Sequence, residues 1–134
     1  MKESILDITD RLAVLEVVNK YSLVVDDRRW DELTDVFTED GMFDASRSGY
    51  QVVRGTAALR RHMETADHPN AHHVTNSVIT EIGSDSVRVH SKVVTVRRGG
   101  AATTGDYYDV VVRTAAGWRL REKVAVPRGR DDKA

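Results

Sequence analysis

Apolar residues first recur at helical spacing. From residue 10 onward Val14, Leu15, Val17, Val18, Tyr21, Val24 and Val25 form one broad stripe, with Arg11, Glu16, Asn19 and Lys20 largely outside it. Asp7 or Thr9 can cap this helix, since either side-chain oxygen accepts from a free N–H of the opening turn. After the polar break at residues 27–29, Trp30, Leu33, Val36 and Phe37 predict a second short helix that stops at Glu39-Asp-Gly41. Residues 42–44 predict a short strand, 46–49 a turn and 50–53 another strand. A third helix is predicted from Gly55-Thr56 to about Ala66, capped by Thr56, and Pro69 makes residues 67–70 a loop.

The pattern then changes to strands. Valine-rich segments at 71–82, 86–98, 103–114 and 118–126 are separated by glycine-bearing turns at 83–85, 99–101 and 115–117, which predicts an antiparallel meander. Helices followed by strands indicate an α+β fold.

One residue conflicts with this pattern. Asp26 lies eleven positions after Leu15, about 20° away around the first helix, so its carboxylate stands over the buried side. Burial disfavours the charged form, so such a group needs a reason to be there. Tyr21 lies roughly 140° from Asp26 and can flank the same cavity only if that cavity is wide or the helix loosens. A site formed by Tyr21, Asp26 and a histidine from the first long strand, His73, gives the carboxylate a role.

Composition narrows the classes. The chain has 134 residues, with 20 basic and 21 acidic side chains and a formal charge of −1, which argues against binding nucleic acid by phosphate neutralisation. That length suits one domain, here 1–127, with a charged, disordered tail at 128–134. The absence of cysteine excludes disulfides and thiolate metal sites. The longest apolar runs are too short to span a membrane. Acidic residues in the first seven positions are unlike a secretory leader, so a cytoplasmic protein is expected.

The chemical candidates lie mostly on the strands. His72 and His73 point to opposite faces. If His73 faces in, Thr75 and Ser77 follow it; if His72 does, Asn76 follows from the adjoining turn. One surface and one structural core histidine account for the segment equally well, although imidazole suits proton transfer near neutrality. In the next strand Val87, Val89, Ser91, Val93, Thr95 and Arg97 share the face read as inner, with Ser91, Thr95 and Arg97 as polar pocket lining. For Arg97 a solvated strand end is the simpler reading, and His90, between Arg88 and Lys92 on its face, is expected to be exposed. In the third strand Tyr108, Val110 and Val112 share a face, and an inward Tyr108 can donate to a ligand oxygen. Asp109 and Arg113 are expected to form a surface ion pair. No glycine-rich phosphate loop, Gly-x-Ser-x-Gly or His-Glu-x-x-His occurs, so no metal, nucleotide or other cofactor is implied.

Taken in order, Tyr21 and Asp26 before Trp30-Asp-Glu-Leu33, Phe37-Thr-Glu-Asp-Gly41, Arg54-Gly-Thr56, His72-His-Val-Thr-Asn76, Gly105-Asp-Tyr-Tyr-Asp109 with Arg113, and Gly117-Trp118 resemble the SnoaL-like family of the nuclear transport factor 2-like superfamily. The resemblance runs from Asp10 to about Val126. It implies a cone-shaped α+β barrel enclosing a deep pocket, and usually a homodimer. It is nearest to scytalone dehydratase and the bile-acid 7α-dehydratases, whose tyrosine, aspartate and histidine fall here on Tyr21, Asp26 and His73. His72, Asn76, Ser91, Thr95, Arg97 and Tyr108 would contact substrate, and Arg97 replaces a second scytalone-type histidine. The implied activity is cofactor-free dehydration, cyclisation or isomerisation of a small hydrophobic carbonyl or polyketide-like compound through an enolate. The same superfamily also includes non-catalytic binding or dimerisation modules and oxygenase accessory subunits, so fold alone does not choose among them.

Overall fold

The structure, a computed structural model, describes residues 6–129. The first helix, α1 (Ile8–Asp26), starts at Asp7, whose carboxylate accepts the Asp10 N–H at 2.8 Å. Val14, Val17, Val18, Tyr21, Val24 and Val25 are buried, as the stripe predicts. Ser22 is buried with them because its hydroxyl donates back to the Asn19 carbonyl at 3.0 Å, satisfying itself within the helix.

The second helix is shorter than expected. A 3-10 segment covers Trp30–Asp35, and the chain then enters strand β1 (Phe37–Asp44). The Val36 carbonyl accepts the Leu120 N–H at 2.7 Å, so the last strand captures the chain before the helix can continue. Gly41 is therefore not a helix stop. A Cβ there would lie 3.0 Å from the Phe37 side chain and the Thr38 carbonyl, where β1 bulges between Phe37 and Met42. A 3-10 turn (Ser46–Ser48) leads to β2, only Val53–Arg54, and to α2 (Thr56–Thr65). Gly55, not Thr56, occupies the cap position of α2, with φ of 96°.

The long strands follow as β3 (Ala71–Ile82), β4 (Ser86–Val96), β5 (Ala102–Thr114) and β6 (Gly117–Arg128). With β1 and β2 they form one sheet in the order β2-β1-β6-β5-β4-β3, antiparallel except for the β1–β6 pair. The sheet does not close on itself. Helix α1 packs on both β3 and β6, three places apart in the sheet, so the sheet curls around the helix and the helices complete the enclosure. Arg128, assigned by sequence to the tail, ends β6; the rest of that expected tail beyond Gly129 lies outside the described residues. Among the described residues no helix is long and apolar enough to cross a membrane.

One cluster ties the start of α1 to the far end of the meander. The Asp10 carboxylate accepts from Arg113 at 3.1 and 3.3 Å and from the Trp118 indole at 3.2 Å, while the Arg113 guanidinium lies 4.5 Å from the Trp118 ring centre. Hydrogen bonds from Arg113, then from Trp118, hold the Asp10 carboxyl below its ordinary value of 3.8. A depressed folded-state pKa gives stability that is present above the unfolded value and lost as pH falls through the folded one. Urea unfolding midpoints of wild type and Asp10→Asn should therefore differ near neutrality, and the gap should close as pH drops below about 4.

Candidate active site

Asp26 is the last residue of α1, so its carboxylate stands at the negative end of the helix, an unfavourable place for an anion. His72 supplies the compensation. Its backbone N–H donates to Asp26 Oδ2 at 2.9 Å and its ring Nδ1 to Oδ1 at 2.6 Å. β3 is an edge strand, and edge strands carry N–H groups with no neighbouring strand to receive them. Asp26 fills that vacancy with one oxygen and orients the imidazole with the other. Both side chains are largely buried, at 7% and 18% exposure for His72 and Asp26.

The register explains why the inward histidine is His72 and not His73. His72 pairs with Thr95, which lies on the inner face of β4 with Val87, Val89, Ser91 and Val93; His73 pairs with outward Val94 and is exposed. The assignment of His73 to the site is thus corrected to His72. Asn76 is corrected too: it is exposed with φ of 55° at a β3 bulge and does not border the cavity. The extra residue reverses the alternation, so His72 and Val74 are succeeded on the inner side by Ser77 and Ile79. Ser91 is buried but uses its hydroxyl on Ser77 at 2.7 Å and is not part of the cavity wall.

The cavity has a volume of about 200 Å³. Tyr21, Tyr107, His72, His68 and Thr95 line it, and Arg97 reaches its rim from an exposed strand end. Arg97 donates to the Asp67 carboxylate and carbonyl, both at 3.3 Å. Thr95 hydrogen-bonds Thr103.

Tyr108 is the third correction. It faces away from the cavity, 47% exposed, and stacks on His90, whose Nε2 meets Asp106 at 2.8 Å. Ser91 pairs with Tyr107, so Tyr107 takes the inward place. The expected Asp109–Arg113 surface pair is absent as well: Arg113 binds Asp10, and Asp109 is buried against Lys123.

The sequence reading missed three groups. Lys123 has no exposed side-chain surface; its Nζ donates to both oxygens of Asp109 at 3.2 and 3.3 Å. Burial pushes the Asp109 carboxyl up and Lys123 down, and each partner opposes the shift of the other. Tyr107 joins Tyr21 edge-to-face, with ring centres 5.8 Å apart. Burial first, and nearby charge including Asp109 and Asp26, push both phenols above their ordinary value, so they remain protonated donors. His68 gives its Nε2–H to the Met63 carbonyl at 2.8 Å, which leaves Nδ1 as a lone pair, and burial pushes the ring down toward neutrality. A histidine just before Pro69 was the available signal for it; Lys123 left none. Among the described residues no cluster of three or more metal-ligating side chains occurs.

A SnoaL-like domain is matched over residues 7–124. The chain belongs to the SnoaL-like family. Among solved structures, a Novosphingobium aromaticivorans protein provisionally named an aromatic ring hydroxylase is 30% identical, with 93% of each chain covered and a TM-score of 0.79. Two further proteins of that organism share the fold at lower identity. One, provisionally named a scytalone dehydratase, is 20% identical over 91% of this chain and 86% of its own, with a TM-score of 0.74. The other, the β subunit of a provisionally named aromatic-ring-hydroxylating dioxygenase, is 19% identical over 91% and 90%, with a TM-score of 0.69. No curated protein matches the sequence.

Replacing Asp26 by alanine strands two His72 donors. Asp26→Ala should lower unfolding free energy by about 1–3 kcal/mol in urea, and Asp26→Asn, which keeps one acceptor, by less.

Proposed function

We propose that this SnoaL-like protein is a cofactor-independent acid–base enzyme that takes a small, largely apolar carbonyl compound through an enolate, as a dehydratase or a polyketide cyclase or isomerase. The observation that carries this reading is the fixed tautomer of His72. With Nδ1–H donated to Asp26, Nε2 is the nitrogen left for proton abstraction in the cavity that His72 lines.

In the dehydration, His72 Nε2 takes the proton next to the carbonyl and the electron pair moves onto the carbonyl oxygen. Tyr21 and Tyr107, protonated and adjacent, donate to that oxygen, while Asp26 stabilises the imidazolium. The enolate then re-forms the carbonyl and expels a β-hydroxyl, which receives the proton back from His72 and leaves as water. A positioned base contributes typically ~100- to 10,000-fold, and donors aimed at the developing oxyanion contribute as much or more. Arg97 and Thr95, farther along the wall, would receive the polar substituents of the substrate.

A second reading, an accessory subunit of an oxygenase, draws on the ring-hydroxylase name of the 30% identical structure and on the dioxygenase β subunit that shares the fold. It predicts a tight heterologous partner on co-purification.

The decisive experiment is proton exchange on hydroxyketones and polyketide-like aromatics in deuterated water. Wild type should exchange; Asp26→Asn and His72→Gln should lose at least ~100-fold, and His73→Gln should keep the rate. Survival of exchange in His72→Gln would place the base elsewhere. Tight binding with no exchange on any compound would make this a binding module.

A further inference from the structure

Outside the residues that border the cavity, the most unusual group is Lys123. Its ammonium lies 3.7 Å from the centre of the Tyr107 ring and 4.4 Å from that of Tyr21, wholly excluded from solvent. It does not border the cavity itself. Against the burial that disfavours its charge stand two carboxylate oxygens of Asp109 and the negative faces of two aromatic rings.

Stability does not account for such a pair. Desolvating two charges offsets much of their attraction, and apolar residues of similar volume often serve as well or better. What the pair does provide is a fixed cation beneath two hydroxyl-bearing rings. A cation over the face of a phenol draws electron density from the ring and so from the oxygen. The O–H becomes a stronger donor, and the more so where no water screens the field.

We propose that Lys123 is a positioning residue for the oxyanion: held by Asp109 against the ring faces of Tyr21 and Tyr107, it strengthens both hydroxyls as donors toward negative charge developing on a ligand oxygen in the cavity. This rests on the reading that the two tyrosines face such an oxygen. Asp109 serves as the anchor that fixes the ammonium under both rings; its own charge acts on the phenols in the opposite sense, and the ammonium, against the ring faces themselves, is placed to outweigh it.

The test uses binding, which needs no turnover. Affinities for 4-nitrophenolate and for nitrobenzene, the latter lacking the oxyanion, are measured at pH 8.5 for wild type and for the net-neutral double variant Lys123→Met with Asp109→Leu. Wild type should favour the anion, and the double variant should lose at least ten-fold of that preference while nitrobenzene affinity stays within two-fold. If the apolar pair does not fold, Lys123→Gln with Asp109→Asn removes the charges and keeps a hydrogen-bonding pair, with the same loss expected. Tyr107→Phe should lower the preference in wild type and much less in the double variant, which a purely structural lysine would not produce. An unchanged anion preference in the variants, or no preference in wild type, overturns the proposal. An inert wild type that keeps a Lys123-dependent preference overturns the enolate chemistry and leaves this assignment standing. Active wild type whose preference survives the double substitution does the reverse.

Discussion

The structure depends on one junction, the bidentate contact between the carboxylate of Asp26 and the backbone and ring of His72. It joins the C-terminal end of α1 to the open edge of the sheet, the two places where backbone groups are hardest to satisfy. The helix end brings an ill-placed anion, the edge strand brings an unused N–H, and each resolves the problem of the other. Because Asp26 must reach β3 while Val14, Val18 and Val24 stay buried, α1 is held in one position across the concave sheet. The cavity is the space left between that helix, α2 and the inner side chains of β4 to β6.

The interior follows a stricter rule than apolar packing. Among the described residues no buried side-chain nitrogen or oxygen lacks a partner. Ser91 has Ser77, Lys123 has Asp109, and Asp26 has His72. A polar network inside a low-dielectric core is costly when incomplete and rigid when complete. Rigidity is what a site built on oriented donors requires, since a donor contributes most when it is already in place.

Much of this was legible in the sequence. The stripe on α1, the inner face of β4, the order of the elements and the Asp26 carboxylate over the buried side all followed from period. The failures on the strands are errors of phase. Alternation assigns faces correctly only until a bulge adds a residue. β6 runs inward through Trp118 and Leu120, and simple alternation then puts Lys123 outside; the register shift opposite Val110 and Val111 turns it in. On β5, which pairs with β4 without a shift, the sequence reading takes the opposite phase, so Asp109 looks like a surface acid and Tyr108 is taken for the inward tyrosine in place of Tyr107. The choice between His72 and His73 was a matter of phase as well, and only pairing with Thr95 decides it. At the end of the second helix a different force prevailed, the capture of Val36 by Leu120 over local helical spacing.

The bulge at Asn76 joins two halves of β3 that are opposite in phase, before a second register shift between Ile79 and Glu81. Upstream of it the strand holds His72 against Asp26; downstream Ser77 and Ile79 take the inner side, and the second register shift returns Ile82 to it. Asn76 acts as a phase coupler between them: its left-handed backbone lets both halves present their inner faces at once, although their side chains obey opposite parity. Length at this point is therefore controlled along with residue identity. The left-handed backbone suits asparagine, aspartate or glycine, and loss of one residue there would set the two halves in conflict, so that the strand could satisfy either the histidine or the core and not both.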